Sequence, residues 1–174
     1  MLFRSRGIEP DAERGAKLIL QAAQQGDVSA QSQMGELYAA GRGVAQDWDE
    51  AWRWFFFAST QGDGYAYFSL GVMYQQGLGV EKDAAEAADD YRHAMEHGEW
   101  RAGVNLGYLY AQGDGGSKNL VEAYMWFTVA AARAPSAEDS ASAKKNRDEI
   151  AARMTSEQIA EAEKLASAWK PASS

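Results

Sequence analysis

Cysteine is absent from the 174 residues of this chain. Neither a disulfide framework nor a thiolate metal site can therefore form. Proline occurs only three times, and long helices are feasible because proline is what most often interrupts them. The sequence has no run of about 18 apolar residues, so we predict no membrane-spanning helix.

Positive charge is also scarce. The chain has 25 acidic and 17 basic residues, which gives a net charge of −8. Nucleic acids and anionic membranes bind clustered lysine and arginine, so we predict that neither is the main ligand. An acidic chain of this kind suits a neutral or basic protein or peptide.

The chain start lacks the apolar core of a secretory signal, because Met1-Leu2-Phe3-Arg4 leads directly into polar sequence. We therefore predict a cytoplasmic protein, or a periplasmic one if a leader has been removed. Nothing in the sequence indicates a cofactor.

A repeat with an offset of 36 residues organises most of the sequence. Glycine, tyrosine and alanine recur in register, without insertion or deletion. The sets are Gly35, Gly71 and Gly107; Tyr38, Tyr74 and Tyr110; Gly41, Gly77 and Gly113; Gly43, Gly79 and Gly115; Ala51, Ala87 and Ala123. A fixed period of this size indicates stacked units, each of which buries its apolar face against its neighbours.

Each unit is predicted to contain two helices separated by a glycine turn. The first helices span about 29–40, 65–76 and 101–112, and the second about 47–60, 83–96 and 119–132. Each second helix begins at a predicted capping box: Asp47 with Glu50, Asp83 with Glu86, and Asn119 with Glu122. The mid-helix glycines, of which Gly35 is the first, each cost about 1 kcal/mol relative to alanine. We interpret them as places where a neighbouring helix approaches too closely for a Cβ atom.

Helical patterns continue at both ends of the array. Residues 11–25 have the pattern of a second helix alone. Ser136 with Asp139 predicts the start of a helix to about Met154, and Thr155 with Gln158 predicts another to about Trp169. We expect these last two helices to cover the final apolar face.

These residues resemble the Sel-one-like repeat family, a relative of the tetratricopeptide repeats. The resemblance rests on motifs such as Asp47, Ala51, Trp54, Ala58 and Gly62, and it covers about 11–134. It implies an all-α, right-handed α-α superhelix, or solenoid, that acts as a scaffold or adaptor and has no enzymatic activity. We accordingly expect one repeat domain over 1–174, with a half repeat at 11–26, full repeats at 27–62, 63–98 and 99–134, and capping helices at 135–170.

Three departures from the repeat pattern stand out. Asp90 lies in phase with Trp54 and Trp126, so that interface is either looser or contains an ion pair with Arg92 or His93. Gly116 replaces the valines Val44 and Val80, and we expect a more mobile third turn. Phe56 and Phe57 lie where the family tends to have exposed polar residues.

Two motifs suggest chemistry but have simpler explanations. The stretch His93-Ala94-Met95-Glu96-His97 matches H-x-x-E-H, a zinc-peptidase signature. Ala94 is nevertheless the repeat alanine, and the chain has no third histidine, so we predict no metal site. The stretch 113–118 is glycine-rich but lacks the spacing of a phosphate-binding loop, and we interpret it as a modified repeat turn.

In related helical repeats the first helix of each pair lines the concave surface. That resemblance places a group of polar and aromatic residues in a partner-binding groove. The predicted contacts are Tyr65, Phe68, Val72, Gln76, Arg101, Asn105, Tyr108 and Gln112. Tyrosine and arginine are frequent in interaction hot spots. For Phe68, packing between units is the alternative. Phe56 and Phe57 are predicted to form a second contact patch, since exposed apolar patches usually mark interfaces.

We therefore predict an adaptor or scaffold that binds a protein or peptide partner in the groove. One alternative is an inhibitor or immunity protein for a single basic effector enzyme, which the acidic charge would suit. A more remote alternative is a metal-dependent hydrolase that uses His93 and His97.

Overall fold

The computed structural model describes residues 10–114 and 118–171, and in these ranges it contains nine α-helices and no strand. The helices are α1 (Pro10–Gln24), α2 (Val28–Ala40), α3 (Trp48–Ser59), α4 (Gly64–Gln76), α5 (Ala84–Glu96), α6 (Arg101–Gln112), α7 (Leu120–Arg133), α8 (Ala137–Ala151) and α9 (Ser156–Ala168). Each bound of α1 to α7 lies within one residue of its predicted position.

Helices that follow one another in the chain pack against one another. The pairs α2 with α3, α4 with α5 and α6 with α7 form hairpins, and each hairpin contacts the next through α3 with α4 and α5 with α6. The hydrophobic core is therefore a series of clusters along the array, one around Ala51 and Phe55 and another around Ala87 and Tyr91. This arrangement confirms the predicted all-α solenoid of helical hairpins.

The mid-helix glycines each face an aromatic ring of the paired helix. A Cβ atom added to Gly35 would lie 2.6 Å from the ring of Phe55 on α3. The same contact recurs 36 residues later in Gly71 with Tyr91, and again in Gly107 with Phe127, at 2.6 and 2.5 Å. Real Cβ atoms do not approach other atoms so closely. The predicted reason for these glycines is therefore confirmed, and the approaching group is a ring at one fixed position of the second helix.

The starts of the second helices differ in one detail from the prediction. The side chains of Asp47, Asp83 and Asn119 accept hydrogen bonds from the first backbone N–H groups of α3, α5 and α7, as expected. The backbone N–H of Asp47 itself donates to the carbonyl of Tyr38 at 3.0 Å. The equivalent bonds in the next two units end on the equivalent tyrosines, Tyr74 and Tyr110. Because these N–H groups are already bonded, the return bond from the glutamate of a capping box is redundant, and that half of the prediction is wrong.

Asp90 has no basic partner among the described residues. Arg92 pairs with Asp89, and His93 lies 3.2 Å from Glu96. Of the two alternatives predicted for Asp90, the ion pair with Arg92 or His93 is therefore wrong, and the looser interface stays a prediction. Burial, with a smaller contribution from the nearby Glu86, raises the pKa of Asp90 to about 7. An acidic side chain in this packing position thus weakens the interface whenever it is ionised.

The two C-terminal helices both pack against α7. Ser136 accepts a hydrogen bond at the start of α8, and Thr155 and Gln158 form a full capping box at the start of α9, as predicted. α8 ends at Ala151, three residues before the predicted end. Trp169 packs edge-on against Trp126, with 5.9 Å between ring centroids. The tail therefore covers the last hairpin.

Gly115 and Gly116, and with them the predicted mobility of the third turn, lie outside the described residues. None of the described helices is long and apolar enough to cross a membrane.

Candidate partner-binding face

The first helices of the three hairpins, α2, α4 and α6, present one continuous side of the array, which we call the α2–α4–α6 face. An open hollow of about 380 Å³ lies on this face between the first two hairpins. Three of the predicted contact residues, Tyr65, Phe68 and Val72, line it. The remaining lining residues are Glu36, Ala39, Ala40, Arg42, Trp48, Phe55, Ser69, Met73 and Leu78.

Trp48 and Leu78 were missed by sequence reasoning. Trp48 begins α3, and Leu78 lies in the turn after α4. Neither belongs to the first helices from which the predicted set was drawn. Their position in the repeat is the only signal for these two residues. Trp48 and Leu78 lie 36 residues after Ala12 and Arg42, which line a similar groove one unit earlier.

Tyr65 connects the first two hairpins through a hydrogen bond. Its hydroxyl donates to a carboxylate oxygen of Glu36 on α2, with 2.5 Å between the oxygens. Burial, and next this bond to Glu36, raise the pKa of Tyr65 to about 12. The phenol therefore stays protonated at neutral pH and acts as a donor that satisfies the one carboxylate of this part of the face.

Arg101 continues the same cluster onto the third hairpin. Its guanidinium lies over the rings of Phe68 and Tyr65, at 5.0 and 5.5 Å from their centroids. Glu99 holds it through two hydrogen bonds of 2.7 Å. Cation–π contact and a paired carboxylate fix the arginine in place before any partner arrives.

The other predicted residues lie apart from the hollow. Tyr108 is 42% exposed and packs edge-on against Phe127, with 5.3 Å between centroids. Asn105 is half-buried on α6, and Gln76 and Gln112 are exposed at the ends of α4 and α6. The structure therefore brings Tyr65, Phe68, Val72 and Arg101 together, while the remaining four extend the face on either side.

The helices of this face carry little charge, although Arg42, in the turn after α2, lines the hollow. α2, α4 and α6 contain Glu36 and Arg101 as their only charged residues. Glu36 accepts from Tyr65, and Arg101 pairs with Glu99. The net charge of −8 is therefore carried elsewhere on the molecule, and apolar contact and neutral hydrogen bonds dominate what the face offers a partner.

The predicted second patch lies on α3. Phe56 and Phe57 are 43% and 45% exposed. Trp52 stacks on Phe56 with 5.1 Å between centroids and 9° between planes, and Trp54 meets Phe57 edge-on. Trp52 and Trp54 thus hold Phe56 and Phe57 in place, and both phenylalanine rings remain partly exposed to solvent.

The two histidines pack around a tyrosine. The rings of His93 and His97 lie 5.2 and 5.6 Å from the ring of Tyr67, and His93 faces Glu96 at 3.2 Å. Within the described ranges, no three His, Asp or Glu side chains converge in a way that holds a metal ion. The contacts of this motif are those of helix packing between α4 and α5.

Comparisons with known proteins identify the repeat. The family model described as the Sel1 repeat matches residues 1–27, 28–63, 64–89 and 101–134. No curated protein matches the chain.

Two crystal structures are similar over most of the chain. One is a protective antigen present in uropathogenic Escherichia coli strains, which displays an SLR fold; it is 30% identical, with a TM-score of 0.79 over 94% of this chain and 34% of its own. The other is a Sel1 repeat protein from Oxalobacter formigenes, 32% identical, with a TM-score of 0.69 over 78% of this chain and 52% of its own. The chain thus spans about a third of the first and half of the second.

Proposed function

The chain belongs to the Sel1 repeat family, and from that premise we propose that it is a protein-interaction module that binds a protein or peptide partner on the α2–α4–α6 face. The proposal includes the division predicted from the repeat, with one half repeat, three full repeats and two capping helices in a single domain. Repeat arrays of this kind usually act by presenting an extended surface rather than a reactive centre.

The observation that carries the proposal is the cluster of Glu36, Tyr65, Phe68 and Arg101. Residues from three hairpins meet there, and each polar group is held by a neighbour before binding. A rigid, preorganised surface loses less side-chain entropy when a partner binds. Beside it, the hollow of about 380 Å³ offers space for one apolar side chain of the partner.

The face favours a neutral or apolar segment over a strongly basic one. The two charged residues of its helices, Glu36 and Arg101, are already paired within the molecule, so their attraction adds little to binding. Arg42, which lines the hollow, adds a positive charge that disfavours a strongly basic segment. An inhibitor of one basic effector enzyme would need several acidic residues at the interface, and Glu36 is the only one that α2, α4 and α6 contain. The adaptor is therefore the better-supported of the two functions.

The proposal is tested with a partner identified by affinity purification and then purified. Binding is measured by calorimetry for the parent and for the double variant Arg101→Ala/Tyr108→Ala. Loss of two hot-spot side chains should weaken binding by about tenfold or more. Helicity measured by circular dichroism should not change, because the side chains of Arg101 and Tyr108 lie at the surface, 47% and 42% exposed.

Leu165→Ala is the matched control. Leu165 is 39% exposed on α9, at the far end of the array, and its loss should leave affinity unchanged. If the double variant binds as tightly as the parent, the partner does not use the α2–α4–α6 face, and the assignment of the site is wrong.

A further inference from the structure

The outer side of the second helices carries much of the negative charge that the α2–α4–α6 face lacks. α5 contains four acidic residues and one arginine, and α3 contains two acidic residues and one arginine. The exposed polar and aromatic side chains form one stripe on each helix. The stripe of α3 consists of Asp49, Arg53, Phe56 and Phe57, and the stripe of α5 consists of Glu86, Asp89 and His93. We call the two stripes together the α3–α5 face.

The two stripes are neighbours, because the ends of α3 and α5 meet. A Cβ atom added to Gly62, in the turn after α3, would lie 3.2 Å from the ring of His97, which directly follows α5. The equivalent residues Phe57 and His93 each lie about one turn earlier on their helices. The exposed rings of α3 therefore lie on the same side of the array as the acids of α5.

The unpaired charge of this face is negative. Both arginines are occupied within their own helices, since Arg53 donates to Glu50 at 2.7 Å and Arg92 pairs with an aspartate one turn earlier. Among the described residues, the carboxylates of Asp49 and Glu86 form no ion pair. The face therefore combines exposed aromatic rings with acids that are available to a partner.

Elsewhere in the molecule, rings and carboxylates together hold an arginine. In two places a guanidinium lies over an aromatic ring, at 5.0 and 5.9 Å from its centroid, and bonds to a carboxylate at 2.7 Å. The sets are Arg101 with Phe68 and Glu99, and Arg147 with Tyr124 and Asp148. In the described ranges no cation lies over the rings of Phe56 and Phe57. Their rings and the nearby acids thus offer the same chemistry without an arginine of this chain.

Charge decides which kind of occupant suits the α3–α5 face. The net charge of −8 repels nucleic acids, anionic membranes and a second copy of this chain. A basic protein segment is attracted instead. Arginine suits the face better than lysine, because its planar, weakly hydrated guanidinium stacks on a ring and pairs with a carboxylate at the same time.

We propose that the α3–α5 face binds an arginine-containing segment of a partner protein. A guanidinium of that segment stacks on the exposed ring of Phe56 or Phe57, and neighbouring basic residues pair with Asp49 and Glu86. The surface lies on the second helices and is separate from the α2–α4–α6 face. Its function does not depend on whether that other face binds a partner, and together the two faces would let the array hold two proteins at once.

Three labelled peptides test the proposal on the full chain. One contains four Gly-Arg repeats, one four Gly-Lys repeats and one four Gly-Glu repeats. Fluorescence anisotropy measures their affinities at neutral pH and low ionic strength, where surface charges are least screened. The arginine peptide should bind saturably and about threefold or more tightly than the lysine peptide, because a guanidinium stacks better on the rings. The acidic peptide should not bind.

A ring variant separates stacking from charge. Phe56→Leu/Phe57→Leu removes both aromatic rings but keeps apolar side chains of similar size. It should weaken binding of the arginine peptide about threefold or more and abolish the preference for arginine over lysine. Leu165→Ala is the control, since Leu165 is an exposed apolar residue on α9, and it should leave affinity unchanged. Thermal melts check that both variants fold.

A charge variant locates the acids that bind the peptide. Asp49→Asn/Glu86→Gln should weaken binding of the arginine and lysine peptides alike, by about threefold or more. Glu138→Gln/Glu149→Gln is the matched control. It removes the same charge from two exposed positions of α8, and it should change affinity much less.

Four results would overturn the proposal. The first is the absence of saturable binding by the arginine peptide, and the second is equal affinity for the arginine and lysine peptides. The third is an equal loss in both charge variants, which would show that net charge alone attracts the peptide. The fourth is binding that appears only after residues 1–9 are deleted, which would make that segment, with Arg4 and Arg6, the occupant instead.

Discussion

The second helices α3 and α5 lie 36 residues apart, and their residues are similar on only one of the two helix faces. Toward the paired first helix they are alike, with Ala51 and Ala87 fully buried and the rings of Phe55 and Tyr91 against glycines. On the outer face they differ. Where α3 has Trp52, Trp54, Phe56 and Phe57, α5 has Ala88, Asp90, Arg92 and His93.

The difference shows which positions the repeat constrains. Residues that face the partner helix must satisfy the same close contacts in every hairpin. The outer face of a second helix meets the neighbouring unit only in part and is otherwise free to vary. Substitutions that exchange residues between α3 and α5 therefore separate the constrained positions from the free ones.

The largest effect is expected for Trp54→Asp, which gives α3 the residue that α5 has. Trp54 packs against the cluster of Ala23, Ala30 and Met34. Losing a large packed aromatic lowers the free energy of unfolding by about 3–5 kcal/mol, and the substitution introduces a carboxylate beside this apolar cluster. Urea denaturation measures the change. Phe57→Asp on the same helix is the control. An equal loss of stability there would show that positions 54 and 57 are constrained to the same degree.

The next effect is expected at the shared inner face. Gly71→Ala would place a Cβ atom 2.6 Å from the ring of Tyr91, and overpacking of this kind costs about 1–3 kcal/mol. Gly15→Ala is the matched control, since a Cβ atom there meets nothing within 4 Å; it should stabilise the protein by up to about 1 kcal/mol through helix propensity. Similar effects of the two substitutions on denaturation would contradict the close contact.

A smaller and pH-dependent effect is expected for Asp90→Asn. Burial raises the pKa of Asp90 from 3.8 to about 7 in the folded protein. Its carboxyl ionises first in the unfolded chain, so the free energy of unfolding falls as pH rises from about 4 to about 7 and is constant above that. Asn abolishes this fall and stabilises the protein at pH 8 by about 1–2 kcal/mol, a range reduced for the partial exposure of Asp90.

Asp89→Asn provides the comparison for this measurement. Asp89 is exposed and pairs with Arg92 at the surface, so its loss should change stability by less than about 1 kcal/mol. Denaturation curves recorded between pH 4 and pH 8 measure the free energy of unfolding of the parent protein and of both variants. A parent protein whose stability does not fall over that range would show that Asp90 is not the buried acid described above.

The smallest effect is expected for the double variant Phe56→Arg/Phe57→His, which carries the outer face of α5 onto α3. Both phenylalanines are more than 40% exposed, and exposed substitutions usually change stability by no more than about 0.5 kcal/mol. A loss well above that value would mean that the aromatic pair is a structural element of α3. Unchanged stability with weaker partner binding would support the second contact patch.

The repeat phase predicted most of the fold because it reports the contacts that every hairpin must make. Gly35, Ala51 and Tyr38 recur for reasons that lie within one unit, so the helix bounds and the close approach at the glycines were accessible from the sequence. The N-caps Asp27 and Asp63 of α2 and α4 were missed, since no glutamate three residues later drew attention to them.

Contacts between different units were less accessible. The bond from Tyr65 to Glu36 joins residues at different positions of their units, and neither position carries the same residue type elsewhere. The failure of the predicted reciprocal caps arises within one unit, because it depends on where the carbonyl of Tyr38 lies after folding. The repeat phase shows which residues are structurally equivalent, but it does not show which non-equivalent residues contact one another.

A double-mutant cycle of Gly71→Ala and Tyr91→Leu tests the central claim most directly, namely that position within the 36-residue unit decides what a residue contacts. If the ring of Tyr91 fills the space above Gly71, the alanine should cost about 1–3 kcal/mol in the parent and less than about 0.5 kcal/mol when leucine replaces the ring. An equal cost in both backgrounds would contradict the account.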